Sequence, residues 1–213
     1  AGYLNQFLDI AVTVGEKVIS EQHFFAAGAG FGKVGRTYGM PGDAYAVSDG
    51  ERIYFVDKEG TVSMCVPDME DETGDILWTD GMYAYTTAMF GVDENMLEDY
   101  TISNLSEIIY LDNRLWTVLK LDMKYTEERI LACFSMEEGW TLASKLPAGF
   151  KTAEGISIAP YQGELYLLGG LDNTTGNLQS LVMRMDPLTM KWQNGTALPE
   201  GRAFAQAVAT GDK

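Results

Sequence analysis

The residues of this 213-residue chain that could perform acid–base chemistry are mostly carboxylates. Hydrolysis of a glycosidic bond uses two carboxylates at a defined separation. The spacing of the candidates defines no such pair, although their number leaves one open. These candidates are Glu94, Glu98, Glu137, Glu138 and Glu154.

Residues 68–75 form an acidic run with five carboxylates, which is the kind of oxygen-rich segment that binds calcium. Gly74 comes one place late for an EF-hand loop, and no glutamate occupies the closing position. Such a run is more typical of a solvated turn. We therefore expect no metal site here.

Residues 30–35 have the GxGxxG spacing of loops that bind dinucleotide phosphates. That chemistry needs a strand before the loop and a helix whose first amides face the phosphate. The following segment, residues 36–42, contains Gly39, Pro41 and Gly42 and does not favour a helix. The sequence therefore predicts a glycine-rich loop and no cofactor.

Histidine and cysteine are too rare for most metal and nucleophilic sites. His23 is the single histidine, which excludes zinc or copper sites built from several imidazoles. A Ser-His-Asp triad would have to use His23, which lies beside two phenylalanines and is more typical of a packed or surface side chain. Cys65 and Cys133 are too few for a disulfide scaffold, and we expect two buried free thiols.

The charge balance excludes further classes of function. Fifteen Lys and Arg residues stand against 31 Asp and Glu, giving a formal net charge of −16. A nucleic-acid-binding protein built on a basic patch is therefore not expected. The longest uncharged stretch, residues 81–92, has twelve residues, whereas a membrane-spanning helix needs about 20. No membrane span is expected.

The elements that would position any site repeat along the chain. Trp140 and Trp192 each begin the pattern Trp-x5-Leu-Pro-x-Gly, and an apolar run with an aromatic residue precedes each of them. Three aromatic–tryptophan pairs recur at separations of 24 to 26 positions: Tyr54 with Trp78, Trp116 with Trp140, and Tyr166 with Trp192. Each aromatic run follows a β-prone segment and a Gly, Asn or Asp turn, which is a hairpin signal.

One repeat thus has four antiparallel strands in about 50 residues, as in a propeller blade. We predict an all-β chain, one domain over residues 1–213, folded as a propeller-like arc of about four four-stranded blades. The predicted blades are 8–40 (incomplete), 41–101, 102–150, 151–201 and the first strand of a further blade at 202–213. Unequal spacing predicts an insertion near residues 82–100, with a short helix at 93–99.

The last repeat carries a dense motif. Gly169-Gly170 follow its second strand, Asp186-Pro187 begin a turn after its third, Trp192 follows, and Arg202 begins the next unit. This pattern resembles the kelch repeat. The resemblance implies that the signature residues are structural. They are Tyr54, Trp78, Trp116, Trp140, Tyr166, Gly169, Gly170, Asp186, Pro187, Trp192 and Arg202. Kelch propellers usually have six or seven blades, so an arc of about four is expected either to be part of a larger propeller or to be closed by strands from elsewhere.

The resemblance implies a non-catalytic binding module that presents loops to a protein or glycan partner. The loops expected on one face are residues 57–60, 82–100, 120–127, 142–150 and 170–178. Aromatic residues beside amides and carboxylates suit sugars and peptide surfaces. The predicted contacts are Tyr83, Tyr85, Tyr125, Asp172 and Asn173. The alternative is a carbohydrate-active enzyme of the sugar mutarotase or lyase type, with Glu or Tyr as acid or base.

Two expectations concern context. Loose repeats and an acidic surface favour a bacterial exported or cell-surface protein over a cytoplasmic one, and three glycosylation sequons begin at Asn104, Asn173 and Asn194. A chain that ends on an unmatched strand, 202–210, would expose backbone hydrogen-bonding groups. Self-association through blade edges is the expected result.

Overall fold

The computed structural model describes residues 10–14, 17–22, 44–70, 76–92, 100–123 and 126–210. Within these ranges the regular structure is β-strand with short 3-10 turns. The strands are β1 (Ile10–Val14), β2 (Lys17–Gln22), β3 (Ala44–Ser48), β4 (Ile53–Asp57), β5 (Val62–Glu70), β6 (Ile76–Met82), β7 (Thr101–Asn104), β8 (Ile109–Leu111), β9 (Arg114–Met123), β10 (Thr126–Ser135), β11 (Gly139–Lys145), β12 (Ala153–Glu154), β13 (Ser157–Tyr161), β14 (Glu164–Leu168), β15 (Leu171–Asp172), β16 (Asn177–Leu178), β17 (Val182–Asp186) and β18 (Lys191–Asn194).

Three antiparallel meanders form the blades. Blade 2 is β3-β4-β5-β6, and blade 4 is β13-β14-β17-β18. In blade 3, β11, β10 and β9 follow one another, while β7 and β8 both pair with β9 and share the position of a first strand. Hairpin β1-β2 precedes blade 2, and β12-β15-β16 form a small separate sheet. The predicted all-β, propeller-like architecture is confirmed.

The hairpin turns follow from local sequence. Asp112 and Asn113, between β8 and β9, both have positive φ, as a tight primed turn requires. Between β3 and β4, one carboxylate oxygen of Asp49 accepts hydrogen bonds from the amides of Glu51 and Arg52, at 2.8 and 2.6 Å. These short-range interactions fix the register of each strand pair.

Blade 3 supplies apolar side chains to two cores because strand residues alternate between the faces of a sheet. Leu115 and Leu119 of β9 belong to the core shared with blade 2. Trp116 and Val118, from the same strand, belong to the core shared with blade 4. All four are at most 1% exposed. Each such burial contributes about 1.5–3 kcal/mol of transfer free energy, so stacking of the blades stabilises blade 3 on both faces.

Two tryptophans of the fourth strands reach the preceding blade. The Trp140 indole donates to the carbonyl oxygen of Gly60 at 2.7 Å. The Trp192 indole donates to the Ser144 hydroxyl at 3.1 Å. The repeat-defining tryptophans therefore bind one blade to the next, and the Trp116 indole bonds within its own blade to the Leu111 carbonyl oxygen at 2.9 Å. The side chain of Trp78 lies outside the described residues.

Close backbone approach explains the diglycine. Gly169 has φ +65°, and a Cβ there would collide with the carbonyl oxygen of Arg202. The Gly169 amide donates to Leu181 O at 2.8 Å, and the Gly170 amide donates to Arg202 O at 2.7 Å. The segment 198–205 thus crosses directly over the diglycine. Only glycine leaves room for that crossing.

Other motif residues have distinct surroundings. Asp186 accepts hydrogen bonds from the Leu188 amide at 2.8 Å and the Thr189 hydroxyl at 3.1 Å. The Arg202 side chain is exposed and paired with Glu200.

Tyr166 lies outside both described cores, with its ring 5.8 Å from that of Tyr161. Tyr166 therefore packs against its own hairpin.

Residues 202–210 have no sheet partner in the described part of the chain and form no strand there. A strand is defined by its ladder of hydrogen bonds, and the predicted first strand of a further blade lacks one. In the insertion, the structure describes a 3-10 turn at Thr87–Phe90, while the predicted helix at 93–99 lies outside the described residues.

Cys65 and Cys133 are both buried free thiols. Burial raises the pKa of the Cys65 thiol to about 11.

The described residues include no helix long and apolar enough to cross a membrane.

Candidate functional site

A cavity of about 780 Å³ opens where blades 2 and 3 meet, and is here called the outer cavity. Three tyrosines lie in its wall. Its lining comprises Tyr45, Lys58, Glu59, Ala84, Tyr85, Thr86, Thr87, Tyr100, Ile102, Ser103 and Asn104. Volume and lining place it in the range of small-molecule sites, which are concave and mostly apolar with a few polar groups.

Tyr85 is fixed at the base of the outer cavity by four contacts. Its amide donates to Glu59 O at 2.9 Å. Its ring lies over Gly60, where a Cβ would come within 2.5 Å, and 4.8 Å from the Trp140 ring. Its hydroxyl accepts a hydrogen bond from the Asn104 amide at 2.9 Å. Burial raises the Tyr85 pKa, so the hydroxyl stays protonated and neutral.

Asn104, at the end of β7, lines both the outer cavity and a second one. Its amide nitrogen donates to the hydroxyls of Tyr85 and Thr117, at 2.9 and 3.2 Å. Its side-chain oxygen is buried without a hydrogen-bond donor. A buried acceptor left unpaired costs about 1–3 kcal/mol, which a ligand donor would offset.

The second cavity, here called the inner cavity, exists because the first strand of blade 3 is interrupted. Between β7 and β8, the Ser106 hydroxyl replaces a strand carbonyl and accepts a hydrogen bond from the Val118 amide at 2.9 Å. The Leu105 amide donates to Val118 O at 2.8 Å. Residues 105–108 leave the regular ladder of hydrogen bonds between strands. The two bonds to Val118 keep the backbone groups of β9 paired at that point. Glu107 belongs to this excursion.

The inner cavity has a volume of about 440 Å³. Two carboxylates and two aromatic rings are among its walls. The lining residues are Tyr45, Asn104, Leu105, Ser106, Glu107, Glu154, Gly155, Ile156, Phe204, Ala205 and Gln206. No lysine or arginine is among them. Glu107 carries one carboxylate oxygen, Oε2, that is buried without a donor.

The two carboxylates of the inner cavity differ in their neighbours. Glu154 lies 3.7 Å from the Arg129 guanidinium and 4.0 Å from the Lys120 ammonium. No ion pair within 4.0 Å compensates Glu107 in the described structure. Burial, followed by the negative charge of Glu107, raises the pKa of Tyr45. The Tyr45 hydroxyl therefore remains protonated at neutral pH.

Arg129 clamps blade 3 to the chain that leads into blade 4. Its side chain is fully buried. The guanidinium donates to Ala153 O at 3.0 Å and to Lys151 O at 2.8 Å, and it is paired with Glu127. This clamp holds the neighbouring Glu154 at the cavity wall.

The predicted contact residues do not form one site. Tyr83 is 48% exposed and packs against Gly139 and Phe134, with 5.8 Å between the two rings, away from both cavities. Tyr85 borders the outer cavity. Asp172 and Asn173 belong to the β15-β16 hairpin in the small sheet. No hydrogen bond or ring contact joins the two groups in the described structure, and Tyr125 lies outside the described residues.

Asp172 itself is occupied by its own turn. It accepts hydrogen bonds from the Thr174 amide, the Thr152 hydroxyl and the Thr175 hydroxyl, at 2.9, 2.8 and 2.9 Å. These bonds hold the pKa of the carboxyl below its usual value. Such a saturated carboxylate organises the hairpin.

The remaining chemical candidates are scattered. Glu137 and Glu138 line a third cavity of about 510 Å³, together with the β3-β4, β8-β9 and β10-β11 turns. Glu94, Glu98, His23 and residues 30–35 and 71–75 lie outside the described residues. Over the ranges that the structure describes, no group of three or more His, Cys, Asp or Glu side chains is gathered to hold a metal ion.

Sequence reasoning missed Tyr45, Asn104 and Glu107. The available signal was the polar sequence Asn104-Leu105-Ser106-Glu107 inside an otherwise β-prone run, which marks an interruption of the strand. Which neighbouring blade faces that interruption depends on tertiary packing.

No protein-family model and no curated protein matches the chain. Among solved structures, the chain is similar to YjhT, with 13% sequence identity and a TM-score of 0.52. The match covers 76% of this chain and 52% of YjhT, so the chain spans about half the length of that protein. At this identity the likeness bears on the fold alone, and it agrees with the propeller type.

Proposed function

We propose that the chain is a kelch-like binding module that takes a glycan in the outer and inner cavities between blades 2 and 3. The single observation behind the proposal is Asn104, which borders both cavities and carries a buried acceptor oxygen without a donor. Glycan hydroxyls are donors that would satisfy it. Tyr45 also lines both cavities, and a tyrosine ring supplies the apolar surface on which a sugar face packs.

Concavity favours a glycan over a protein surface. Stable protein–protein interfaces are broad, with hundreds of Å² buried on each side. The outer and inner cavities are instead open concavities of about 780 and 440 Å³. Their size suits a few sugar residues of a longer chain. An exported or cell-surface location would fit such a ligand and stays part of the proposal.

A second candidate function is a carbohydrate-active enzyme. Glu107 lines a cavity beside Tyr45 and has a carboxylate oxygen without a hydrogen-bond donor. A carboxylate in this setting can exchange a proton with a bound sugar. The binding module and the enzyme would therefore use the same residues, and they differ in whether the bound sugar is chemically converted.

The experiment first screens the protein against a panel of immobilised oligosaccharides. Calorimetry then measures the affinity for those that bind. Tyr45→Ala is expected to weaken binding at least about tenfold, which corresponds to about 1.4 kcal/mol. Tyr83→Ala is the matched control, because Tyr83 is similarly exposed and lines neither cavity. Equal losses in both variants, or no binding by the parent chain, would contradict the proposal.

Turnover separates the two candidates. The bound oligosaccharide is incubated with the protein and followed by NMR for anomeric exchange or cleavage. An unchanged sugar supports the module. Turnover that disappears in Glu107→Gln supports the enzyme.

A further inference from the structure

We infer that the inner cavity recognises a protonated amine, so that the ligand is a glycan containing amino sugars with free amino groups. This inference rests on the proposed function and specifies its ligand class. The structural basis is the combination of Glu107 with the aromatic walls of Tyr45 and Phe204 in a cavity whose lining has no basic side chain.

Charge is the first part of the argument. Glu107 and Glu154 are the charged residues lining the inner cavity. Arg129 and Lys120 lie near Glu154, so its charge is compensated by the protein. Glu107 has no cationic partner within 4.0 Å among the described residues. A cation that enters the cavity would supply the missing charge.

The aromatic residues are the second part. Ammonium groups bind where a carboxylate and the faces of aromatic rings meet. Tyr45 and Phe204 line the inner cavity, and Phe204 is 74% exposed despite its large apolar ring. An exposed phenylalanine and an uncompensated carboxylate in the lining of one cavity suit an ammonium group better than a neutral hydroxyl.

Backbone strain at Phe204 is the third part. Phe204 has φ +54°, a left-handed conformation that is unfavourable for a bulky side chain. Its amide donates to Gly155 O at 2.9 Å, and its ring lies where a Cβ of Gly155 would be. The hydroxyl of Ser157 donates to the next carbonyl, that of Ala205. These contacts hold the ring at the cavity in a conformation that costs energy.

Two kinds of ligand carry a protonated amine that fits the inner cavity: an amino sugar and a lysine side chain of a protein. A lysine side chain of a protein offers the same ammonium group as an amino sugar. The outer cavity, with its three tyrosines and the unpaired Asn104 oxygen, adjoins the inner one through shared residues. Hydroxyl donors next to the amine are therefore favoured, and these belong to an amino sugar.

The test uses three tetrasaccharides of equal length: a glucosamine tetramer, its N-acetylated form and a glucose tetramer. Binding is measured by calorimetry at about pH 6, below the ordinary pKa of an amine. The parent chain is expected to bind the glucosamine tetramer about tenfold more tightly than the other two. Glu107→Gln keeps the size of the side chain, removes its charge and should abolish that preference.

The matched control is Glu138→Gln, which removes one carboxylate from the third cavity. It changes the net charge of the protein by the same amount as Glu107→Gln and should keep the preference. Thermal unfolding of both variants checks that each remains folded. Phe204→Ala provides a second variant and should reduce glucosamine binding without removing any charge.

Equal binding of all three tetrasaccharides by the parent chain overturns the inference but leaves the glycan proposal standing. Preference retained in Glu107→Gln also overturns it. Binding of none of them overturns the inference and also counts against the proposed function. A lysine peptide that binds through Glu107 when the glucosamine tetramer does not would overturn the assignment to a glycan.

Discussion

The Trp140 indole donates a hydrogen bond to the backbone carbonyl of Gly60 in the neighbouring blade, at 2.7 Å. Gly60 is itself buried, and the same glycine makes room for the Tyr85 ring at the base of the outer cavity. One short contact thus joins blade 2, blade 3 and the floor of the candidate site.

Trp140→Phe is expected to lower the free energy of unfolding by about 1–3 kcal/mol beyond the loss of ring area, because it leaves a buried carbonyl without a donor. Trp192→Phe is the control. It removes the same indole group, but the partner there is the less buried Ser144 hydroxyl, which can turn to another acceptor or donor. Urea denaturation of both variants measures the difference. Equal losses would contradict this account of Gly60.

Gly169→Ala is expected to destabilise blade 4 by about 3 kcal/mol or more, since the added methyl group collides with the Arg202 carbonyl oxygen in a left-handed conformation. Gly163→Ala serves as the comparison. Gly163 has φ +77° and open space around it, so only the conformational cost of about 1–2 kcal/mol applies. The midpoints of chemical unfolding give both values. A Gly169 variant no worse than the Gly163 variant would refute the close crossing.

Arg129→Met is expected to cost about 3–5 kcal/mol, because it breaks a buried ionic network and removes the donors to two backbone carbonyls. Lys145→Met removes an exposed lysine paired with Glu128 at 3.5 Å, and should cost less than about 1 kcal/mol. Calorimetric unfolding at low and high salt distinguishes them. A small loss in the Arg129 variant would show that the clamp contributes little.

Asp186 should make stability depend on pH. The Leu188 amide, the largest cause, holds the pKa of its carboxyl below the ordinary value, and the Thr189 hydroxyl adds to this. The contribution is therefore present above the unfolded pKa of about 3.9 and is lost as pH falls through the lower folded value. Between about pH 5 and pH 2, Asp186→Asn should lose stability less steeply than the parent chain.

The measurement is urea unfolding at a series of pH values. Asp172→Asn should behave like Asp186→Asn, because hydrogen bonds within its own turn lower the pKa of Asp172 in the same direction. Parallel acid unfolding in all three proteins would refute the role of the two turn carboxylates.

The blades were predictable because their signals are local and repeated. The hairpin turn at Asp112-Asn113 and the aromatic runs around Trp116 and Tyr166 can be identified within a few residues of sequence. The tryptophan spacing then identifies the fourth strands. Stacking of neighbouring blades follows, because each apolar sheet face has to be covered.

The cavities were not predictable, because they depend on contacts between distant residues. Tyr85 was predicted as a ligand contact from its residue type, but the sequence does not show that its ring packs between Gly60 and Trp140 while it lines the outer cavity. Glu107 was not singled out, because the polar run 104–107 indicates an interruption of the strand but not which neighbouring blade faces it. Ser106 makes that interruption possible by bonding to the Val118 amide, a substitution visible only in three dimensions.

The diglycine crossing has a consequence for the order in which the chain folds. Gly169 and Gly170 donate to Leu181 and Arg202, so blade 4 must be traversed completely before the second of these bonds can form. Closing a long loop carries an entropic cost that local hairpins avoid. We therefore expect the segment 198–205 to dock late, onto a blade whose hairpins have already formed, so that Phe204 reaches the inner cavity only at that stage.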